Sequence, residues 1–152
     1  MKWLVLASLL AVTACHSPKP IQSFDHPKFS KIEPRLTEHL ERYTVGVSKR
    51  PFTSLADINN FVNMTPYKDD PQDKWQLPYK FLETSGDCED YALAKYALAI
   101  YNHVIEPSEG QIVLVDVGYV HAVLVVDNMV YDNIIKQPTP ISEYTVIGGV
   151  RM

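Results

Sequence analysis

Cysteine is scarce in this chain, with only Cys15 and Cys88 among its 152 residues. The first closes the stretch MKWLVLASLLAVTAC, where Lys2, an apolar run from Trp3 to Val12 and small residues before Cys15 compose an export signal. The run is too short and wrongly flanked for a permanent spanning helix. Its close, VTAC, has the form of a bacterial lipobox, with cleavage before Cys15 and lipid on that sulfur; ordinary signal cleavage is the alternative. Lipidation at Cys15 excludes an internal disulfide and leaves Cys88 as the sole thiol in an oxidising setting, either buried and inert or reactive.

Basic clusters are missing as well. The formal net charge is −4, one more negative once Lys2 leaves with the signal, so nucleic acid is not an expected partner. There is no internal repeat and no low-complexity tract. Membrane attachment is therefore expected through acyl chains, each buried CH₂ contributing about 0.8 kcal/mol. His16 rather than an aspartate after Cys15 points to an anchor in the outer membrane, with the domain on the periplasmic face of the envelope.

Residues 1–14 then form the signal peptide, 15–33 the lipidated cysteine and a proline-rich tether, and 34–152 one compact domain. Leu36, Leu40 and Tyr43 are spaced as one stripe of a short helix. Ser54 can cap a second, LADINNFVNM, with Leu55, Ile58, Phe61 and Val62 inward. Thr65 to Gly86 reads as a long ordered loop anchored by Trp75. A longer helix follows, in which Cys88, Ala92, Tyr96, Ala99 and His103 share a face and Lys95 and Asn102 lie elsewhere. Beyond Gly110 the period switches to two, in QIVLVDVG, VHAVLVVD, MVYDNII and TVIGGVRM. Helices first and strands later give an α+β class, with the cysteine helix packed on an antiparallel sheet.

The chemistry concentrates in TSGDCEDYA. A helix start offers unpaired backbone N–H groups and the positive end of a dipole, which bias a thiol toward thiolate and can stabilise an oxyanion. Gly86 permits a tight turn and Asp87 can cap. The acids Asp87, Glu89 and Asp90 oppose thiolate formation, and a hard cation such as Ca²⁺ would offset them. Acids in a first helical turn are also simply what the dipole favours, and this is no EF-hand loop.

A cysteine nucleophile needs a base. His16 and His26 fall in the tether, His39 in a polar stretch, and His103 at a helix end, whereas His121 heads an apolar strand where an imidazole is costly without a partner. If Asp127 and Asn128 make a two-residue turn, Val126 faces Met129, Val123 faces Asp132, and His121 faces Ile134. His121 and Asp132 are then diagonal neighbours on one face, about 7 to 8 Å apart at the backbone. The alternative is that Asp132 and Asn133 merely end a strand.

The segments NNFVN, DKWQLP, FLETSGDCEDYALAKY, HAVLVV and YDN, in that order from Asn59 to Asn133, resemble the bacterial transglutaminase-like cysteine peptidases. The resemblance implies a papain/transglutaminase-like fold, with Cys88 as nucleophile, His121 as base and Asp132 as orienting acid. It implies calcium at Asp87 and Glu89, with Asp90 beside them. It also implies a protein substrate such as a large surface adhesin, hence a part in biofilm dispersal, and leaves room for an inner-membrane regulatory protein. The same triad could serve a transamidase or a cell-wall amidase. A non-catalytic lipoprotein that binds a partner on this fold is the reading from another class.

Overall fold

The computed structural model describes residues 51–151; the export signal, Cys15, the tether, His16, His26, His39 and the stripe of Leu36, Leu40 and Tyr43 lie outside the described residues. Helices α1 (Leu55–Val62), α2 (Pro78–Glu83) and α3 (Cys88–Tyr101) precede strands β1 (Gly110–Asp116), β2 (Val120–Val126), β3 (Met129–Tyr131), β4 (Thr139–Pro140) and β5 (Thr145–Arg151). The strands form one antiparallel sheet in the order β4-β3-β2-β1-β5. No described helix is long and apolar enough to cross a membrane.

Helix α1 begins where the sequence places it. The Ser54 hydroxyl accepts the Asp57 N–H at 3.1 Å, satisfying one of the donors that a helix start leaves open. Ile58 and Val62 are buried and Leu55 and Phe61 half-buried, as their spacing predicts; Asn59, on the same side, is buried too. The expected loop from Thr65 to Gly86 is only partly a loop. Pro78 opens α2 at the position where a missing N–H costs nothing, and Phe81 is buried. Trp75 does anchor the irregular part, at 6% exposure.

Helix α3 is buried on every side from Cys88 to Ala99, so the expected division into an inner and an outer face does not hold. Lys95, read from the sequence as lying off the buried face, is 1% exposed. The helix ends at Tyr101, and His103 lies beyond its C-cap with φ of 55° instead of continuing the Cys88 face. The sheet explains the crowding. Ile112, Leu114, Ala122 and Leu124 pack with α3 in one core, while Val113, Val115, Val123, Val125 and Val130 form a second cluster to which Ile141 and Tyr144 are joined. A sheet covered on both faces gives the unbroken apolar runs seen in β1 and β2.

Asp127 and Asn128 have φ of 50° and 62°, the two left-handed residues of a type I′ turn, and Val126 pairs with Met129 as the sequence predicts. The β3 strand is shorter than MVYDNII. Pairing stops at Leu124↔Tyr131, because the Asp132 carboxylate accepts the Ile134 N–H at 3.0 Å and bends the chain out of the ladder. Helix α1 secures the departing segment: Asn63 Nδ2 donates to the Asp132 carbonyl at 2.8 Å and Asn59 Nδ2 to the Lys136 carbonyl at 3.0 Å.

The seam between α3 and the sheet allows no spare volume at the start of β1. A Cβ on Gly110 would stand 2.7 Å from two ring carbons of Tyr96. Gly110→Ala is expected to cost about 1–3 kcal/mol through overpacking, read as a lower urea midpoint at unchanged m-value.

Candidate active site

Cys88 is the first residue of α3, with Asp87 at the N-cap. Gly86 is needed for close approach and not for a left-handed φ: a Cβ there would run into the Asp90 carboxylate and sit 2.7 Å from the Phe81 ring. The Gly86 carbonyl also accepts the Lys68 N–H at 2.9 Å, which draws the segment around Tyr67 alongside the cysteine turn. Cys88 is 6% exposed, and its Sγ donates to Glu89 Oε2 at 3.2 Å. The acids that the sequence places beside Cys88 therefore do lie against it, Glu89 in direct contact with the sulfur.

His121 occupies the second position of β2, the first that is buried, at 1% exposure. Its Nε2 lies 2.8 Å from Asp132 Oδ1. That contact leaves Nδ1 as the ring nitrogen able to exchange a proton. Asp132 is 3% exposed and heavily engaged: Oδ1 serves His121 and the Ile134 N–H, and Oδ2 lies 3.3 Å from the Tyr144 hydroxyl. Burial pushes its pKa up, but the hydrogen bonds from His121 and Ile134 and the charges of His121 and Lys95 outweigh it, so the carboxyl stays below its ordinary range. His121 and Asp132 thus meet across the hairpin beyond the last ladder pair, Leu124↔Tyr131, Asp132 being the residue next to it and His121 three residues from it on β2.

A cavity of about 460 Å³ opens beside His121, lined also by Asn63, Tyr67, Tyr91, Tyr119 and Ile134. The Tyr119 ring stands edge-on to the imidazole at 6.1 Å, and Tyr67 stacks on Tyr91 at 6.4 Å. Tyr67, Tyr119 and Ile134 are all more than half exposed, which gives the cavity an apolar rim at the surface. Tyr91 donates from its hydroxyl to the Thr65 carbonyl and tightens the wall.

Asp87 and Glu89 lie together with Asp73, each offering a carboxylate oxygen within 4.8 Å of the others. Three converging carboxylates, two of them buried, are a donor set suited to a hard cation. Sequence reasoning missed Asp73. The signal available was the acid-rich turn that carries it, where Asp70 accepts the Gln72 and Lys74 N–H groups at 2.9 Å. Asp90 stands apart from that cluster. Its carboxylate accepts the Gln76 N–H at 2.7 Å, the Gln76 side-chain amide at 2.9 Å and the Asp87 N–H at 3.4 Å. Its pKa is raised to about 6, chiefly by burial, against the lowering influence of the Gln76 bonds. Asp90 thereby fastens the Trp75–Gln76 strand of chain, next to Asp73, onto the cysteine turn.

Three Legionella pneumophila LapG structures share this architecture. The calcium-bound form aligns with a TM-score of 0.60 at 19% identity, covering 81% of this chain and 79% of that chain. A further LapG structure gives 0.59 at 19% identity and the same coverage. The EGTA-treated form gives 0.57 at 20% identity, over 79% of this chain and 75% of that one. At such identities the likeness is one of fold. No curated protein matches the chain in sequence. The profile of the bacterial transglutaminase-like cysteine proteinases (BTLCP), however, matches residues 17–144. That match takes in α3 together with the β2–β3 hairpin, and the chain belongs to this family of cysteine peptidases.

Proposed function

We propose that the protein is a lipid-anchored peptidase in which Cys88, His121 and Asp132 act as a catalytic triad on an extended protein segment. The observation that carries this reading is the buried 2.8 Å contact between His121 and Asp132, beside a cavity and on the sheet against which the Cys88 helix packs. In the reaction His121 Nδ1 takes the Cys88 proton, and the sulfur attacks the scissile carbonyl carbon. Negative charge moves to the carbonyl oxygen, where first-turn N–H groups of α3, Cys88's among them, can receive it. The imidazolium then returns its proton to the departing amine, leaving a thioester. Water, deprotonated by the same ring, attacks that thioester, the carbon–sulfur bond breaks to release the acid, and the imidazolium returns the proton to the Cys88 sulfur. Asp132 holds the imidazole in one orientation and supports its charge throughout.

Asp73, Asp87 and Glu89 are the residues that would hold calcium, the cation bound in one of the similar LapG structures. A divalent cation there supplies positive charge that offsets the acids beside Cys88. The VTAC pattern supports an acyl anchor at Cys15, and His16 after it a place at the periplasmic face of the outer membrane. From that position the reachable substrate is an envelope or surface protein, for which a large adhesin is our candidate.

His121→Ala is expected to lower cleavage by at least about 100-fold, with unchanged circular dichroism. Comparison of envelope proteins from cells carrying Cys88 or Cys88→Ala should reveal at least one protein retained only in the variant; identical profiles would count against peptidase action. Calcium should raise the melting temperature, by an amount corresponding to about 2.7 kcal/mol at a hundredfold excess over Kd. Asp73→Asn should weaken that response, and an equal rise in both proteins would remove Asp73 from the site.

A further inference from the structure

Lys95 is a charged side chain that the triad chemistry above leaves unused. It lies in the middle of α3 at 1% exposure, among the largest fully buried side chains of the described residues. Its Nζ donates to the Tyr131 carbonyl at 3.2 Å, and it lies 6.0 Å from the centre of the Tyr91 ring, part of the cavity wall. Burying an ammonium carries a desolvation cost that an apolar residue of similar volume would not. Filling the seam between helix and sheet therefore does not account for a lysine there.

Its location does. Tyr131 immediately precedes Asp132, and the next carbonyl along the chain, that of Asp132 itself, is taken by Asn63 at 2.8 Å. The two carbonyls bracketing the Asp132 Cα are thus tied to two different helices, α3 and α1. Asp132 lies one residue beyond the last ladder pair, so its backbone has no sheet bonds to hold it, and these two carbonyl contacts take their place while the carboxylate is held by His121, the Ile134 N–H and Tyr144. The aspartate is itself 3% exposed, so a positive charge nearby also offsets the cost of keeping it ionised.

From this arrangement we infer that Lys95 is a positioning residue for catalysis, holding Asp132 both in place through the Tyr131 carbonyl and in its anionic form through its charge. The inference deepens the proposed triad and rests on it. The groups bearing on the pair are His121 from β2, bonded to Asp132, and the Tyr91 ring on α3, beside Lys95. The electrostatics agree: burial brings Lys95 down to about 7, and the one charge pulling it back up is Asp132, while Lys95 in turn helps to depress Asp132. Around neutrality the ammonium is therefore poised and depends on the aspartate.

The test uses the full chain with calcium present and compares Lys95 with Lys95→Met and Lys95→Gln. Methionine keeps the volume and removes both charge and donor; glutamine keeps a donor without charge, and gives a second chance of a folded variant. Two readouts are needed. Carboxyl carbon NMR of Asp132 should show its titration midpoint raised by about one pH unit in both variants, a tenfold change in the ionised-to-neutral ratio on the limb. Iodoacetamide labelling of Cys88 at pH 6, resolved by mass spectrometry, should slow several-fold. In an Asp132→Asn background Lys95→Met should add nothing to the labelling loss, since coupled residues are not additive. Folded variants with an unmoved Asp132 midpoint and wild-type labelling would overturn the role of Lys95. If His121→Ala also labels like wild type, the triad itself fails and the role of Lys95 falls with it, which separates the two failures.

Discussion

A buried hydrogen bond between an imidazole and a carboxylate is the constraint around which this domain is organised. Each of His121 and Asp132 is almost wholly removed from water, where a polar group without a partner is costly. Together they satisfy one another, and the surrounding chain is arranged to keep them so. The type I′ turn at Asp127 and Asn128 fixes which residues of β2 and β3 face each other, and a slip of one would send the pair to opposite sides of the sheet. Asn63, Tyr144 and the Ile134 N–H then complete the partners of Asp132. Helix α1, which contributes no reacting group, thereby supports the site through its asparagines.

The environment of Cys88 is a balance of opposing influences. The helix start favours negative charge, while Asp87 and Glu89 disfavour it, and Glu89 accepts a hydrogen bond from the thiol itself. Asp73 arrives from a separate loop to join them. Acids brought together by chain segments that are distant in sequence cost repulsion unless a counter-charge is supplied. Asp90, adjacent in sequence, serves a different end, since its oxygens are occupied in binding the Gln76 segment.

Much of this is legible in the amino-acid sequence. The I′ turn, the Ser54 cap and the period-two runs are local signals, and each governs local geometry directly, so β1, β2, α1 and the His121–Asp132 diagonal could be read from spacing. What escaped reading depended on tertiary contact. Lys95 lies off the Cys88 face by spacing, and only the packed fold shows it buried, with its Nζ on the Tyr131 carbonyl. Asn59 and Asn63 look like the polar side of an amphipathic helix until the segment after β3 presents carbonyls to them. Asp73, to which sequence reasoning assigns no role, stands beside Asp87 and Glu89 where Asp90 is expected, because only the folded loop decides which carboxylate meets the cysteine turn and which meets an amide. Helix α2 hid within a stretch whose proline and acid content reads as loop.

The two turns flanking β2 differ in how much change they allow. The Asp127–Asn128 turn has no latitude, because its length sets the register on which the imidazole and carboxylate depend. The Val117–Gly118–Tyr119 turn at the other end is exposed, held by the Asp116 carboxylate to the Gly118 N–H at 2.8 Å, and carries an aromatic ring on the cavity rim. Under the proposed triad, the cavity rim at one end of a single strand can therefore vary while the register that seats His121 against Asp132 is kept fixed by the other.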